Sequence, residues 1–210
     1  MTHSLADLGP TYGPLWAQCQ PGTLAPGAPV RDVATDLTAS VTLVLAGSSR
    51  YRALAATTGV PWWFMGLIHL LEGSCDFRRH LHNGDPLGAR TVNVPAGRPV
   101  AGKPPFTWEE SATDAFDYHG WLPDRVHRLA DGAPDWTLPT CLWRFEAWNG
   151  FGYRDHEVRT PYLWAGSNLE QSGRYVTDGV WNDTTWSKQI GAAVVLKAMV
   201  GRGLVQVEGA

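Results

Sequence analysis

Glu72 is the residue in this chain best placed to do chemistry. It follows an almost wholly apolar run, Pro61-Trp62-Trp63-Phe64-Met65-Gly66-Leu67-Ile68-His69-Leu70-Leu71, and precedes Gly73, a helix-terminating residue type. A run of about twelve residues is too short to cross a bilayer. It reads as a helix buried on all faces, with Pro61 in its first turn. Desolvation and the negative end of the helix dipole both favour the neutral acid at such a position. A carboxyl kept protonated near neutral pH is the group that protonates a departing sugar oxygen. The competing reading is an ordinary charged helix end exposed to water.

Asp85 is the candidate second carboxylate. It would act as nucleophile or stabiliser, or as the base that activates a water with help from Thr91. Asp76, four residues beyond Glu72, competes for that role, and an Asp-Pro turn explains Asp85 without catalysis. His82 and Asn83 would orient Asp85 or bind an acetamido group. The separation of the carboxyls would decide the stereochemistry: about 5 Å implies retention, and roughly 6.5–9.5 Å implies inversion through a water.

Other chemistry-bearing residues have simpler explanations. His69, His80, His82 and Asp85 suggest a metal site, but no second pair lies at ligand spacing, so neither a metal nor any other cofactor is expected. Cys75 lacks the His and Asn order of a thiol peptidase. Glu109 and Glu110 stand in Thr107-Trp108-Glu109-Glu110, a capping box, where capping and the N-terminal dipole account for both. Glu146 is expected in a structural ion pair or in solvent. Eleven tryptophans is a high count, and indole faces stack on sugar rings. Trp108, Trp148, Tyr153 and Trp164 are the candidate sugar platforms, although most tryptophans serve in cores.

The elements that hold these residues follow from periodicity. After Glu72 the chain turns polar and rich in Gly and Pro. Asn83-Gly84-Asp85-Pro86 is turn chemistry and Thr91-Val92-Asn93-Val94 alternates as a short strand, together a small β-hairpin. Residues 36–57 form one helix, or two divided near Gly47. An amphipathic helix opens at Trp108, a short helix is expected over 123–129, and a helix over 138–149 stops at Gly150. A last helix is expected from Thr184 to Val200. Residues 1–34 read as an irregular arm, with 35–210 as one domain of six or seven helices around the buried one. The expected class is α+β, mainly α.

A carboxylate at a helix end followed by a hairpin bearing a second one resembles the layout of lysozymes. Asp85 and Thr91 have the five-residue separation of the phage-type pattern, while the twelve residues between Glu72 and Asp85 exceed the phage interval. Glu72-Gly73-Ser74 resembles, with one residue inserted, the Glu-Ser motif of goose-type lysozymes and soluble lytic transglycosylases. Ala147-Trp148-Asn149-Gly150-Phe151-Gly152-Tyr153 resembles their Ala-Tyr-Asn-Ala-Gly motif, which lines the sugar cleft and implies a binding role for Asn149. The run from about Arg50 to Met199 is similar to a group of bacterial and phage lysozyme-family proteins. The similarity is carried by Val60–Trp63, His80–Leu87, Pro104–Ala112, Pro161–Trp164 and Gly173–Gly179. It implies a lysozyme-like fold and cleavage of peptidoglycan.

Composition narrows the partners. A net charge of −3 gives no electrostatic case for nucleic acid or an anionic membrane. Basic residues outnumber acidic ones between Glu72 and Lys103, which suits an anionic polymer such as the peptidoglycan glycan strand. Three cysteines argue against a disulfide framework. The start of the chain has no basic and apolar pattern of a secretory signal. A monomer made in the cytoplasm and acting on the wall after release is therefore expected. Three readings compete: a hydrolytic muramidase, a lytic transglycosylase that needs Glu72 alone, and a non-catalytic wall-binding protein on the same scaffold.

Overall fold

The computed structural model describes residues 3–177 and 179–210; Met1, Thr2 and Asp178 lie outside the described residues. The fold is α+β and mainly α. Eight helices are joined by one two-stranded antiparallel sheet among the described residues. The chain gathers into two compact units, one formed by residues 1–42 and 136–210, the other by 43–135. No helix among the described residues is long and apolar enough to cross a membrane.

Helix α2 (Val33–Ala46) ends at Gly47 and α3 (Ser48–Thr58) follows in the 43–135 unit, the second of the two arrangements expected for residues 36–57. A Cβ on Gly47 would meet the Tyr51 ring at 2.6 Å, so only glycine fits. Helix α4 (Trp62–Gly73) is buried from Trp63 to Leu71, as its unbroken apolar run requires. Pro61 stands as its N-cap. Gly66 brings α4 close to its neighbours: a Cβ there would lie 2.8 Å from Val44 Cγ1 and 3.1 Å from Tyr51. Helix α5 (Trp108–Tyr118) opens with the expected capping box, the Thr107 hydroxyl accepting from Glu110 N and the Glu110 carboxylate accepting from Thr107 N.

Two expectations in this unit are corrected. Residues 91–94 form no strand. Here 79 and 86 share a single antiparallel bridge, and the amides of Val92 and Asn93 donate to the Asp85 side chain, so they cannot enter a ladder. Residues 123–129 make one turn closed by Arg125 N and Val126 N to Leu122 O, not a helix. The Arg128 guanidinium then ties the carbonyls of Pro123 and Gly132.

In the other unit, the irregular arm expected over 1–34 is instead a helix, α1 (Leu5–Gln18), with Pro10 and Pro14 inside it. Ser4 caps it through Asp7 N, its buried Tyr12 donates to Glu146 of α6 (Leu138–Asn149), and Lys197 lies over the Trp16 ring. Gly150 ends α6 with φ +86°. A 3-10 turn (Gly152–His156) and the four-residue α7 (Pro161–Trp164) follow. The sheet lies here, β1 (Arg174–Thr177) paired with β2 (Val180–Asn182), Tyr175 opposite Trp181. The last helix, α8 (Ala192–Gly201), starts later than expected. Asn182 Oδ1 accepts the amides of Thr184 and Thr185, making a turn where a helix was anticipated. Gly191 then crosses α7 so closely that a Cβ would lie 2.3 Å from Leu163 O.

Candidate active site

Glu72 occupies the last turn of α4 and is partly buried, between a core position and open solvent. The helix ends on two successive left-handed residues that are not glycine, Ser74 (φ 52°) and Cys75 (φ 57°). Such conformations cost about 1 kcal/mol each and gather at sites that must hold a particular backbone path. Ser74 N donates to Leu70 O and Cys75 N to His69 O, so the reversal satisfies carbonyls that a helix end leaves open.

The reversal returns the chain to Glu72. Gly84 has φ +76°, and a Cβ built on it would lie 2.3 Å from the Glu72 carbonyl oxygen. The loop that carries Asp85 therefore rests directly on the end of α4. It is closed by His80 N to Asp85 O (2.6 Å) and Gly84 N to His80 O (3.0 Å), and Arg79 Nη1 donates to Gly84 O (2.9 Å). We expect Gly84→Ala to lower stability by about 1–3 kcal/mol and to reduce any activity of Glu72 along with it. Thermal unfolding measures the first; an unchanged melting temperature would mean that the loop does not rest on Glu72.

Asp85 is buried and anchors its loop. Its Oδ2 accepts from Val92 N (2.8 Å), Asn93 N (3.0 Å) and Asn83 Nδ2 (3.2 Å), and Oδ1 accepts from Asn93 Nδ2 (2.7 Å). Burial pushes its pKa up, but the amides of Asn93 and Val92 and the two asparagine side chains outweigh that and hold it below the usual carboxylate range. Asn83 is thus bonded to Asp85, its Oδ1 accepting from Asp85 N (3.0 Å) as well. Thr91 does not assist Asp85: its hydroxyl donates to Pro95 O (2.6 Å) and accepts from Arg98 N (2.9 Å), closing a turn. Asp76 is committed to Arg78, whose side chain and backbone amide hold its carboxyl far below the ordinary range. Asp85→Asn turns one acceptor oxygen into a donor facing donors. The expected loss is about 2–3 kcal/mol, read by denaturant unfolding. A variant as stable as the native chain would show that these bonds do not brace the loop.

His82 is also corrected. It faces Asp114 (Nε2 to Oδ2, 2.9 Å) on α5, not Asp85. Burial lowers its pKa to about 4, against the raising effect of Asp114. The Ser111 hydroxyl lies 2.8 Å from His80 Nδ1 and accepts from Leu81 N (3.1 Å), and Arg98 Nε pairs with Asp114 (2.9 Å). This chain of polar groups fastens the loop to α5. Ser111 and Asp114 were missed by sequence reading, although their i,i+3 spacing on one face of a capped helix was the available signal.

Trp108 and Trp164 are core residues, 0% and 2% exposed, and offer no free face to a sugar. Trp108 packs against Tyr51, His69 and Phe77. Of the remaining expected sugar contacts, Trp148 is partly buried, Asn149 is exposed and Tyr153 is buried. Asn149 and Tyr153 line a cavity of about 420 Å3 in the unit formed by 1–42 and 136–210, together with Arg174, Tyr175 and Thr177 of the hairpin. These hairpin residues were not anticipated as part of a site. Tyr153 and Tyr175 meet edge to face at 5.4 Å, and His156 stacks on Trp181 at 3.7 Å.

No family model, curated protein or solved structure matches the chain. The chemistry therefore rests on the residues themselves. Glu72 and Asp85 belong to the 43–135 unit; Trp148, Asn149, Tyr153 and Trp164 belong to the other. Glu146, expected in an ion pair or in solvent, is buried and accepts two 2.7 Å bonds from Arg154.

Proposed function

We propose that the chain is a peptidoglycan-degrading glycosidase, an N-acetylmuramidase that breaks the β-1,4 bond between N-acetylmuramic acid and N-acetylglucosamine. Glu72 is its general acid. The observation that carries this reading is the packing at the end of α4. A partly buried carboxylic acid closes a helix buried on all sides, and a strained reversal with a loop seated on its backbone fixes its position. A proton donor for a glycosidic oxygen needs that combination of partial shielding and fixed direction. In the other unit, the cavity with Asn149, Tyr153, Arg174 and Tyr175 offers amide, hydroxyl and guanidinium groups beside aromatic edges, the mixture that sugar hydroxyls and acetamido groups require. The partner is the glycan strand of the wall, reached after release from the cytoplasm.

A lytic transglycosylase reading gains from Asp85. Its carboxylate already accepts four hydrogen bonds, which favours a mechanism that uses Glu72 alone. Product mass separates the two. In hydrolysis, water adds across the broken bond and the muramic residue ends as a reducing sugar. In transglycosylation, its own 6-hydroxyl displaces the leaving oxygen and the 1,6-anhydro product is lighter by one water. We expect reducing ends from a purified wall digest. Anhydro ends alone would replace the hydrolase assignment with the transglycosylase.

A further inference from the structure

A second cavity, of about 250 Å3, lies between α1, α6 and the segment leading into α7, within one unit. Its charges are unequally satisfied. Arg154 is neutralised by Glu146 through Nε to Oε1 and Nη2 to Oε2, both 2.7 Å, and the Tyr12 hydroxyl completes Glu146 at 2.7 Å. Arg159 is different. Its Nε donates to Leu169 O and its backbone amide to Gln171 Oε1, which fixes the side chain at its root. Its remaining guanidinium N–H groups have no acceptor among the described residues, and no carboxylate pairs with it there. Burial alone lowers its pKa, as expected for a cation partly withdrawn from water without a counter-ion.

Thr160, the next residue, adds a second unused donor. It is 2% exposed and its hydroxyl oxygen accepts from Asn149 Nδ2 and Tyr162 N, both 3.2 Å. Its own proton is left without an acceptor among the described residues. Unused buried donors are uncommon because each carries a desolvation cost that a partner removes. Thr160 carries such a donor, and the half-buried Arg159 guanidinium stands beside it on the same cavity, so the pair points to an acceptor supplied from outside.

We propose that this cavity is a binding site for a monoanionic carboxylate, held by the Arg159 guanidinium and the Thr160 hydroxyl. Planar carboxylates match the guanidinium fork. The Leu15 and Val158 wall suits a short apolar body behind the carboxylate, such as the free carboxyl end of a short acylated peptide. Glu157 also lines the cavity, and its charge opposes a dianion such as phosphate more strongly than a monoanion. The proposal goes beyond glycan cleavage and does not depend on it.

The test is a proton–nitrogen NMR titration of the full chain with three probes: N-acetyl-alanyl-alanine, its C-terminal amide, and inorganic phosphate. The acid is expected to give saturable shifts at Thr11, Val158, Arg159 and Thr160, with at least tenfold weaker binding of the amide. Arg159→Gln should weaken the acid at least tenfold. Equal binding of acid and amide, tighter binding of phosphate, or no saturable shift at these residues would overturn it. So would unchanged affinity in an Arg159→Gln chain that melts like the native one. The acid–amide comparison on the native chain decides the matter even where that variant fails to fold. A Glu72 variant that leaves wall cleavage intact would remove the glycosidase reading and leave this titration as it stands.

Discussion

Glu72→Gln is expected to lower wall-clearing activity about 10²–10⁴-fold, the contribution of a positioned general acid, while leaving the melting temperature nearly unchanged. Glutamine keeps the shape and polar end of the side chain but has no proton to give to a glycosidic oxygen. The backbone contacts that fix the site, Gly84 on the Glu72 carbonyl and the Ser74–Cys75 reversal, involve no part of the carboxyl and persist in the variant. Loss of turbidity from purified walls is the measure, with unfolding run beside it. Clearing that survives would remove Glu72 as the acid and favour the non-catalytic wall-binding reading.

The second large effect is a loss of stability in acid, confined to residues 43–135. His69, His82 and His119 all belong to this unit, and each has its pKa lowered to about 4. Burial is the main cause in all three. The Asp76 backbone and charge oppose it at His69, and Asp114 at His82, while His82 and Arg98 reinforce it at His119. An unfolded histidine takes its proton near 6.5. Between about pH 6.5 and 4 the unfolded chain therefore binds more protons than the folded one, and stability falls as the pH falls. Each histidine contributes about 1.4 kcal/mol per pH unit in that window, and three contribute up to about 4. Asp85 extends the loss below about pH 4, because its lowered pKa adds stability only while it is ionised. Above about pH 7 none of these groups changes stability. Hydrogen exchange across 43–135 at pH 7.5, 6 and 5 should show protection collapsing in the lower two. Protection that is flat across that range would mean the three histidines are protonated without opening the core.

These tests bear on parts of the chain that were unequally legible in its sequence. Helix α4 was legible because an unbroken apolar run has one solution, burial on every side, and α5 because its capping box is entirely local. Helix α6 was readable from its stripe of Leu138, Leu142, Phe145 and Trp148, and its stop from Gly150. Helix α1 was not. Pro10 and Pro14 argue against a helix locally, and tertiary contacts override them: Tyr12 reaches Glu146, Trp16 O accepts from Lys197, and Trp143 Nε1 donates to His3 O. Thr91–Val94 alternates as a strand should, but the Asp85 side chain, seven and eight residues away, claims the amides of Val92 and Asn93. Side-chain capture of backbone donors leaves no periodic trace. Trp108 and Trp164 show the same limit: indole type is visible in a sequence, and which indoles the core consumes is not.

The measurement that bears most directly on the central claim uses peptide-free glycan strands of alternating N-acetylglucosamine and N-acetylmuramic acid, incubated with the native chain and sized by chromatography. Progressive shortening, with every new reducing end at a muramic residue, is the expected result. Strands that keep their full length while intact walls dissolve would place the cut in a peptide or amide bond, and Glu72 would have no glycosidic oxygen to protonate.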